Sequence, residues 1–126
     1  MKMDKIKLLY VDDEPDALQS MQIGLEDRDY EVFIAESGAD AIKLLEGNKP
    51  DVIIADLRMQ PMNGFELFQE VRKNKNTNKI PFFFLTAVDD FLAQKYGQTL
   101  GVDAYITKPI DLDYLDSFIK QRLKGN

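Results

Sequence analysis

The sequence predicts a doubly wound α/β fold, in which helices cover both faces of a five-stranded parallel sheet. Two observations in the 126 residues predict it. Short apolar runs, rich in β-branched and aromatic residues and bounded by Asp, Pro or Gly, have the composition of strands buried on both faces. Segments with helical periodicity separate these runs, so that strand and helix alternate five times along the chain. Such alternation with short loops implies right-handed crossovers and a parallel sheet.

The apolar runs mark the strands in chain order. They are Leu8–Val11, Val32–Ala35, Val52–Ala55, Phe82–Leu85 and Ala104–Ile106. Five such units in one small domain fit the flavodoxin-like strand order 2-1-3-4-5. Ligands of these sheets bind beyond the carboxyl ends of the strands, where the order reverses between strands 1 and 3. We therefore expect the functional residues directly after the strands.

Each strand is followed by a segment with the periodicity of a helix. The first helix is expected to begin at Pro15, because proline suits the opening turn of a helix. The last is expected to run from Asp111 to about Lys124. The residues that define the five helical faces are Leu18, Met21 and Leu25; Gly38, Ala41, Ile42 and Leu45; Gly64, Leu67, Phe68 and Val71; Ala93, Tyr96, Gly97 and Leu100; and Leu112, Leu115, Ile119 and Leu123.

Length and composition suit a single domain over residues 1–126, with a core from about 5 to 124 and no output domain in this chain. Apolar residues make up 44% of the sequence, enough for a substantial core. No apolar run exceeds four residues, whereas a membrane-spanning helix needs about 20. The start, Met1–Lys5, lacks the apolar core of a signal peptide. We therefore expect a cytoplasmic protein that does not cross or bind a membrane.

The absence of cysteine and histidine excludes several kinds of chemistry. Disulfides, thiolate nucleophiles, zinc sites of cysteine or histidine, and catalytic triads with histidine cannot form. Any catalysis has to use carboxylates, hydroxyls, lysine or a bound metal. The formal net charge of −6 is also a poor electrostatic match for DNA, RNA or anionic lipid, so we expect no direct nucleic-acid binding.

Acidic residues follow the two strands expected at the centre of the sheet. Asp12 and Asp13 come after strand 1 and Asp56 after strand 3, while Thr86 and Lys108 come after strands 4 and 5. Two like charges about 4 Å apart repel by roughly 4 kcal/mol at an effective dielectric near 20. One lysine neutralises only part of such a cluster, and Mg²⁺ on oxygen ligands would supply the remaining charge. Each acid alone has an alternative role, as a cap or turn residue before the next helix.

The complete pattern resembles the signature of the response-regulator receiver domain of two-component signalling, the CheY-like family. The matching segments, which extend the similarity over about Lys5 to Lys124, are Asp12-Asp13, Asp56-Leu57-Arg58-Met59, Thr86-Ala87 and Lys108-Pro109. The resemblance implies a domain that accepts a phosphoryl group on one aspartate and catalyses no reaction but its own phosphoryl transfer and dephosphorylation. The donor it implies is a phosphohistidine on a histidine kinase or a histidine phosphotransfer protein, and the cofactor is Mg²⁺ or Mn²⁺.

The resemblance also implies a role for each acid. Asp56 is expected to be the phosphoacceptor, whose carboxylate attacks phosphorus to form an acyl phosphate. Asp13 and Asp56 are expected to bind the metal directly, and Asp12 to bind it through water. The backbone carbonyl of Arg58 is expected to supply a further ligand.

Further residues of the motif are expected to contact the phosphoryl group. Lys108 would pair with one phosphoryl oxygen, and the Thr86 hydroxyl would donate to another. Backbone N–H groups near Leu57 and Ala87 would donate as well. The family also implies a cis peptide bond between Lys108 and Pro109.

Thr86 and Tyr105 are expected to form the switch that reports phosphorylation. In the family, the hydroxyl moves toward the phosphoryl group and the aromatic side chain turns inward. The surface of helix 4, strand 5 and helix 5 then signals to a partner, or to an output domain missing from this chain. The resemblance also allows a homodimer that forms through the same surface. Gly97 lies inside helix 4, where glycine costs about 1 kcal/mol, which suggests a loosely held helix.

The sequence departs from the family pattern in the loop after strand 3. Gln60 stands where the family usually has proline, which here is Pro61, and Asn63 stands where aspartate is common. Arg58 and Val88 occupy positions that help to set the lifetime of the phosphoryl group in the family. The apolar Val88 cannot orient an attacking water, while Arg58 could shield the phosphoryl group, so the sequence predicts no lifetime.

Two other functions are open at this point. An aspartate-nucleophile phosphohydrolase of the haloacid-dehalogenase type would need Asp-x-Asp after strand 1, but here the two acids are adjacent. A flavodoxin-like nucleotide carrier would need a phosphate loop rich in Gly, Ser or Thr. The segment from Asp12 to Asp16 would instead repel phosphate.

Overall fold

A computed structural model describes residues 5–87 and 89–124 of the chain, so that Val88 lies outside the described residues. Strands and helices alternate five times within these ranges, which confirms the predicted order. The strands are β1 Ile6–Val11, β2 Tyr30–Ala35, β3 Val52–Asp56, β4 Phe82–Ala87 and β5 Ala104–Lys108. The helices are α1 Pro15–Glu26, α2 Gly38–Leu45, α3 Gly64–Lys73, α4 Phe91–Leu100 and α5 Leu112–Lys124.

The five strands form one parallel sheet in the order β2-β1-β3-β4-β5, which is the predicted order. Val11 of β1 is paired with Ala55 of β3. The residues that follow this pair, Asp12 and Asp56, therefore leave the sheet side by side. The strand order reverses at this point, and the turn after β1 and the loop after β3 diverge to leave a crevice.

Strands β3, β4 and β5 extend further than their apolar runs. Asp56, Thr86 and Lys108 are the last or the last but one residues of their strands and not the first residues of loops. The backbone pairing continues because Asp56 pairs with Leu85 and Thr86 pairs with Thr107. A pattern of apolar residues cannot detect this extension, since the added residues are polar. The consequence is that these side chains are carried by regular strand backbone.

The core has two layers, because successive side chains of a strand point to opposite faces of the sheet. Leu9 and Val11 of β1 pack with α2, α3 and α4, whereas Leu8 and Tyr10 pack with α1 and α5. Leu18, Met21 and Leu25 are buried as predicted; so are Gly38 and Ala41, all four positions of α3, Ala93 and Gly97, and Leu115 and Ile119.

The predicted helical faces differ from the structure at their edges. Tyr96 was assigned to the inner face of α4, but it is 49% exposed and packs edge-on against Phe65. Leu112 and Leu123 of α5 are half-buried. The last helix begins one residue later than predicted, because Asp111 precedes it and accepts hydrogen bonds from the N–H groups of Asp113 and Tyr114. In the described part of the chain, no helix is long and apolar enough to span a membrane.

Candidate functional site

The structure brings Asp12, Asp13 and Asp56 together at the carboxyl ends of β1 and β3. One carboxylate oxygen from each lies within 4.8 Å of the others. Asp12 and Asp56 are buried and Asp13 is exposed. Carboxylate oxygens in this arrangement suit a hard divalent cation such as Mg²⁺, which needs few protein ligands because it retains waters. The donor set therefore fits the predicted metal.

The turn after β1 holds Asp12 by two hydrogen bonds. The phenol of Tyr10 donates to Oδ2 at 2.6 Å, and the backbone N–H of Glu14 donates to Oδ1 at 3.1 Å. Burial, followed by the hydrogen bond to Asp12, raises the pKa of Tyr10 well above its usual range, so the phenol keeps its proton. Glu14 itself occupies the N-cap position of α1. The alternative in which Asp12 or Asp13 caps this helix is therefore wrong.

The loop after β3 approaches the strand closely because α3 begins with glycine. The N–H of Gly64 donates to the Leu57 carbonyl at 3.0 Å. A Cβ at this position would lie 2.8 Å from the Asp56 carbonyl oxygen, so a larger residue would push the helix away. Asn63 caps α3 by accepting from the N–H of Glu66, whose side chain accepts in turn from the Asn63 N–H. Asn63 can thus serve as the cap where aspartate is common.

Asp56 forms an ion pair with Lys108 across the site. The Lys108 Nζ lies 3.0 Å from the Asp56 Oδ1. Burial raises the pKa of Asp56 above its ordinary value, Lys108 opposes this rise, and the charges of Asp12 and Asp13 add to it. Burial would by itself lower the pKa of Lys108, but its contact with Asp56 and the nearby acids raise it, so the ammonium stays charged. A single cation thus leaves the acidic cluster incompletely neutralised.

Thr86 lies on β4 directly after Leu85, the partner of Asp56 in the sheet. It is buried, and its hydroxyl is 3.4 Å from the Ala87 carbonyl oxygen, which is a long contact for a hydroxyl donor. The hydroxyl is therefore weakly held and can turn toward a new acceptor at the carboxyl end of β3.

Tyr105 of β5 is turned inward against α4. Its hydroxyl lies 3.1 Å from the carbonyl oxygens of both Ala93 and Gln94, to which it donates. The ring packs beside Phe84, with 5.8 Å between the centroids. The hydroxyl also lies against Gly97, where a Cβ would collide with it. Gly97 therefore makes room for Tyr105, and this packing explains a glycine that sequence reasoning interpreted as a weak point of the helix.

One backbone N–H group and one side chain differ in their contacts from what the sequence leads us to expect. The N–H of Leu57, expected to contact a phosphoryl oxygen, instead donates to the Leu85 carbonyl at 3.0 Å, because this bond belongs to the last pair of the β3–β4 ladder, Asp56 with Leu85. The Arg58 side chain, which could have shielded a phosphoryl group, binds Asp90 instead. Its Nε and Nη2 donate to the Asp90 Oδ2 at 3.0 and 2.7 Å. Asp90 also caps α4 by accepting from the Ala93 N–H. The peptide bond between Lys108 and Pro109 is cis, which confirms that expectation. The bond between Gln60 and Pro61 is also cis, which the sequence does not predict.

A cleft of about 440 Å³ opens beside the acids. Acidic residues and Lys108 line it, together with side chains of α1 and of the residues after β5. The apolar and small residues along it are Ala17, Met21, Pro109, Ile110 and Leu112. The cleft therefore leads from solvent to the buried carboxylate of Asp56 along a partly apolar path.

Sequence reasoning did not find two of the residues that shape the site. The apolar run of β1 predicts Tyr10 only as a core residue, and no pattern in the sequence marks Asp90. The signal for Tyr10 was its position two residues before Asp12, since residues i and i+2 of a strand share a face. No comparable signal existed for Asp90, which lies 32 residues from its partner Arg58.

Comparison with known proteins gives consistent results. The family model described as the response regulator receiver domain matches residues 8–120. PilH of Pseudomonas aeruginosa is 33% identical over 119 residues, which are 94% of this chain and 98% of PilH. Response regulator Rre1 of Synechocystis is 33% identical over 121 residues, which are 95% of this chain and 52% of Rre1. The solved structure of the chemotaxis response regulator CheY4 of Vibrio cholerae matches this fold with a TM-score of 0.84. The two sequences are 30% identical, and the match covers 94% of this chain and 98% of that chain.

Replacing Asp56 by Asn is expected to stabilise the metal-free protein by about 0.5–2 kcal/mol at neutral pH, because it removes one of three mutually repelling charges. The raised pKa means that the folded state binds this proton more tightly than the unfolded state, so the ionised carboxylate costs stability. The gain should therefore shrink as the pH falls through the raised pKa toward 3.8. Urea unfolding in EDTA at several pH values measures it.

The control is Asp16→Asn, at the exposed start of α1. A carboxylate there is favourable near the helix N-terminus, so this variant should not gain stability. Equal stabilities of wild type and Asp56→Asn at neutral pH would contradict the argument that the cluster is under electrostatic strain.

Gly97→Ala is expected to drive the Tyr105 side chain out toward solvent, because the added methyl group occupies the place of its hydroxyl. Burial raises the Tyr105 pKa in the wild type, so its exposure should lower the pKa toward the ordinary value of 10.0. An NMR titration of Tyr105 measures the shift. Gly47→Ala is the matched control, since a Cβ there meets nothing within 4 Å. An unchanged Tyr105 pKa in Gly97→Ala would refute the packing argument.

Proposed function

This chain belongs to the response regulator receiver domain family of two-component signalling, and from that premise we propose that Asp56 is its phosphoacceptor. The observation that carries the proposal is the position of Asp56, a buried carboxylate 3.0 Å from Lys108 and beside two further acids. Receiver domains take phosphoryl groups from histidine kinases, bind Mg²⁺ at an acidic pocket and signal to partners.

The proposed reaction is an in-line transfer from phosphohistidine to Asp56. An oxygen of the Asp56 carboxylate attacks phosphorus, the O–P bond forms as the P–N bond breaks, and the imidazole nitrogen keeps the electron pair of that bond. The product on this chain is an acyl phosphate. Lys108 then pairs with a phosphoryl oxygen and no longer with the free carboxylate. The site contributes mainly position and charge, as phosphoryl-transfer sites do.

Asp13 and Asp56 are proposed to hold Mg²⁺ or Mn²⁺ directly, with Asp12 acting through water and the Arg58 backbone carbonyl as a further ligand. The bound cation would supply the positive charge that one lysine does not provide to the phosphoryl oxygens. Mutual proximity of the three carboxylates supports this set. The chain's only catalysis would then be its own phosphorylation and the later hydrolysis of the acyl phosphate.

The phosphodonor is proposed to be a histidine kinase or a histidine phosphotransfer protein that reaches Asp56 through the cleft beside α1. The cleft has the size and the partly apolar wall that suit an imidazole ring carrying a phosphoryl group. Its acidic end would accept the phosphoryl group only with a cation present, since the carboxylates otherwise repel an anion.

Thr86 and Tyr105 are proposed to convert phosphorylation into a change of the α4-β5-α5 surface. The weakly held Thr86 hydroxyl is free to donate to a phosphoryl oxygen, and Tyr105 links β5 to α4 through its contacts with Ala93 and Gln94. Phe91 and Leu92 of α4 are exposed apolar side chains on that surface. They suit a downstream partner, an output domain or a second copy of the chain.

The number of domains in this protein stays a prediction, because its relatives differ in length. The chain spans nearly all of PilH but about half of Rre1. Receiver domains therefore occur both with little else and beside other segments. That this chain is one domain over residues 1–126 stays an expectation. The phosphohydrolase and nucleotide-carrier alternatives give way to the receiver family, whose model matches residues 8–120.

The proposal is tested by incubating the protein with Mg²⁺ and a small phosphoryl donor such as acetyl phosphate, and by measuring its intact mass. The wild type should gain one phosphoryl group, and Asp56→Asn should gain none because it lacks the nucleophilic oxygen. Asp16→Asn, with an exposed acid at the start of α1, should gain the group like the wild type. A gain that persists in Asp56→Asn would place the acceptor on another residue.

Lys108→Ala is expected to remain modifiable but to lose the response to modification. The lysine stabilises the product and links β5 to the acceptor, whereas the oxygen that attacks belongs to Asp56. Amide chemical shifts over α4 and β5 with and without phosphorylation measure the response. If those shifts change in Lys108→Ala as fully as in the wild type, the proposed role of Lys108 in the switch is wrong.

A further inference from the structure

Tyr10 places a hydroxyl where the sheet would be expected to be purely apolar. The residue lies inside β1, is 1% exposed, and packs with α1 and α5. Residues two apart in a strand share a face, so Tyr10 and Asp12 project to the same side at the carboxyl end of β1. The phenol oxygen consequently lies 2.6 Å from the Asp12 Oδ2. Burial of a hydroxyl is costly unless it is hydrogen-bonded, and here Asp12 accepts that bond.

Two hydrogen bonds fix the orientation of the Asp12 carboxylate. Oδ2 accepts from Tyr10 on one side and Oδ1 accepts from the Glu14 N–H on the other. An ionised carboxylate has about four acceptor positions. The protein takes one position on each oxygen, so each oxygen keeps an unused one. One of these oxygens lies within 4.8 Å of an oxygen of Asp13 and of an oxygen of Asp56.

The Tyr10 hydrogen bond has the geometry of a strong one. A hydroxyl-to-carboxylate bond of 2.5–2.7 Å is charge-assisted and is roughly twice as strong as a bond between neutral groups. The bond therefore holds the Asp12 carboxylate in place beside the two other acids. Phenylalanine would fill the same volume without this effect, so the hydroxyl is the part of the side chain that the site uses.

We propose that Tyr10 is a positioning residue for the divalent cation, holding Asp12 so that its free lone pairs face the metal position. The inference rests on the proposed function, since it assumes that the cation lies among the three acids. Tyr10 itself would touch neither the cation nor the phosphoryl group. Residues that orient metal-binding carboxylates in this way typically contribute about 10–100-fold to metal affinity.

The same chain contains a matched control for a purely structural role. Tyr30 of β2 is also 1% exposed and belongs to the same core layer, and its hydroxyl donates to the Asp116 Oδ1 at 2.7 Å. Asp116 lies on α5 and has no part in the acidic cluster. Tyr30→Phe and Tyr10→Phe therefore remove the same kind of tyrosine–aspartate bond from the same layer, once away from the site and once in it.

The test measures Mg²⁺ binding to the metal-free full chain by calorimetry, without any phosphoryl donor. Tyr10→Phe is expected to weaken binding about 10-fold, and Tyr30→Phe is expected to bind as the wild type does. Urea unfolding in EDTA shows whether the two variants remain folded, and both should lose some stability. With acetyl phosphate, the Mg²⁺ concentration at half-maximal rate should rise in Tyr10→Phe, while the rate at saturating Mg²⁺ changes little.

Wild-type affinity in Tyr10→Phe would overturn the inference and leave the proposed function standing. An equal loss of affinity in Tyr30→Phe would also overturn it, because the effect would then follow from lost stability. A wild-type chain that binds no Mg²⁺, or an Asp56→Asn variant that still gains a phosphoryl group, would refute the proposed function itself, and this inference with it.

Discussion

Repulsion among three neighbouring carboxylates is the constraint on which the rest of the site depends. The sheet pairs Val11 with Ala55, so Asp12 and Asp56 have to leave it side by side. Asp13 follows at once, and Lys108 is the cation in contact with Asp56. Charges at such separations repel by several kcal/mol in a partly buried site. The fold therefore maintains an arrangement of acids that is electrostatically unfavourable unless further positive charge is supplied.

The surroundings of the cluster limit this cost without removing it. Tyr10 and the Glu14 N–H donate hydrogen bonds to Asp12, and Lys108 pairs with Asp56. Burial nevertheless keeps the pKa of Asp56 raised. The charge of the Asp56 carboxylate is therefore only partly compensated. Sites that bind and react commonly carry such a local cost in stability.

Two polar contacts reach α4, which carries the exposed side chains of Phe91 and Leu92. Tyr105 reaches it from β5 and fits against Gly97, which admits the phenol because it has no side chain. Arg58 reaches it from the loop after β3 by binding Asp90, the residue that caps the helix. Both contacts are polar and lie at the same helix, which belongs to the surface proposed to signal.

The sequence by itself determined the order of elements, the strand order and the meeting of Asp12, Asp13 and Asp56. These follow from local periodicity and from the rule that parallel strands end at one edge, which need no knowledge of packing. Tertiary structure alone decided that β3, β4 and β5 continue through polar residues, that Leu57 donates to Leu85, and that Tyr10 serves Asp12 as well as the core. It also decided the pairing of Arg58 with Asp90 and the fit of Tyr105 on Gly97. Each of these depends on how close two elements pack and where a side chain then points, and a pattern of residue types along one chain does not carry that distance.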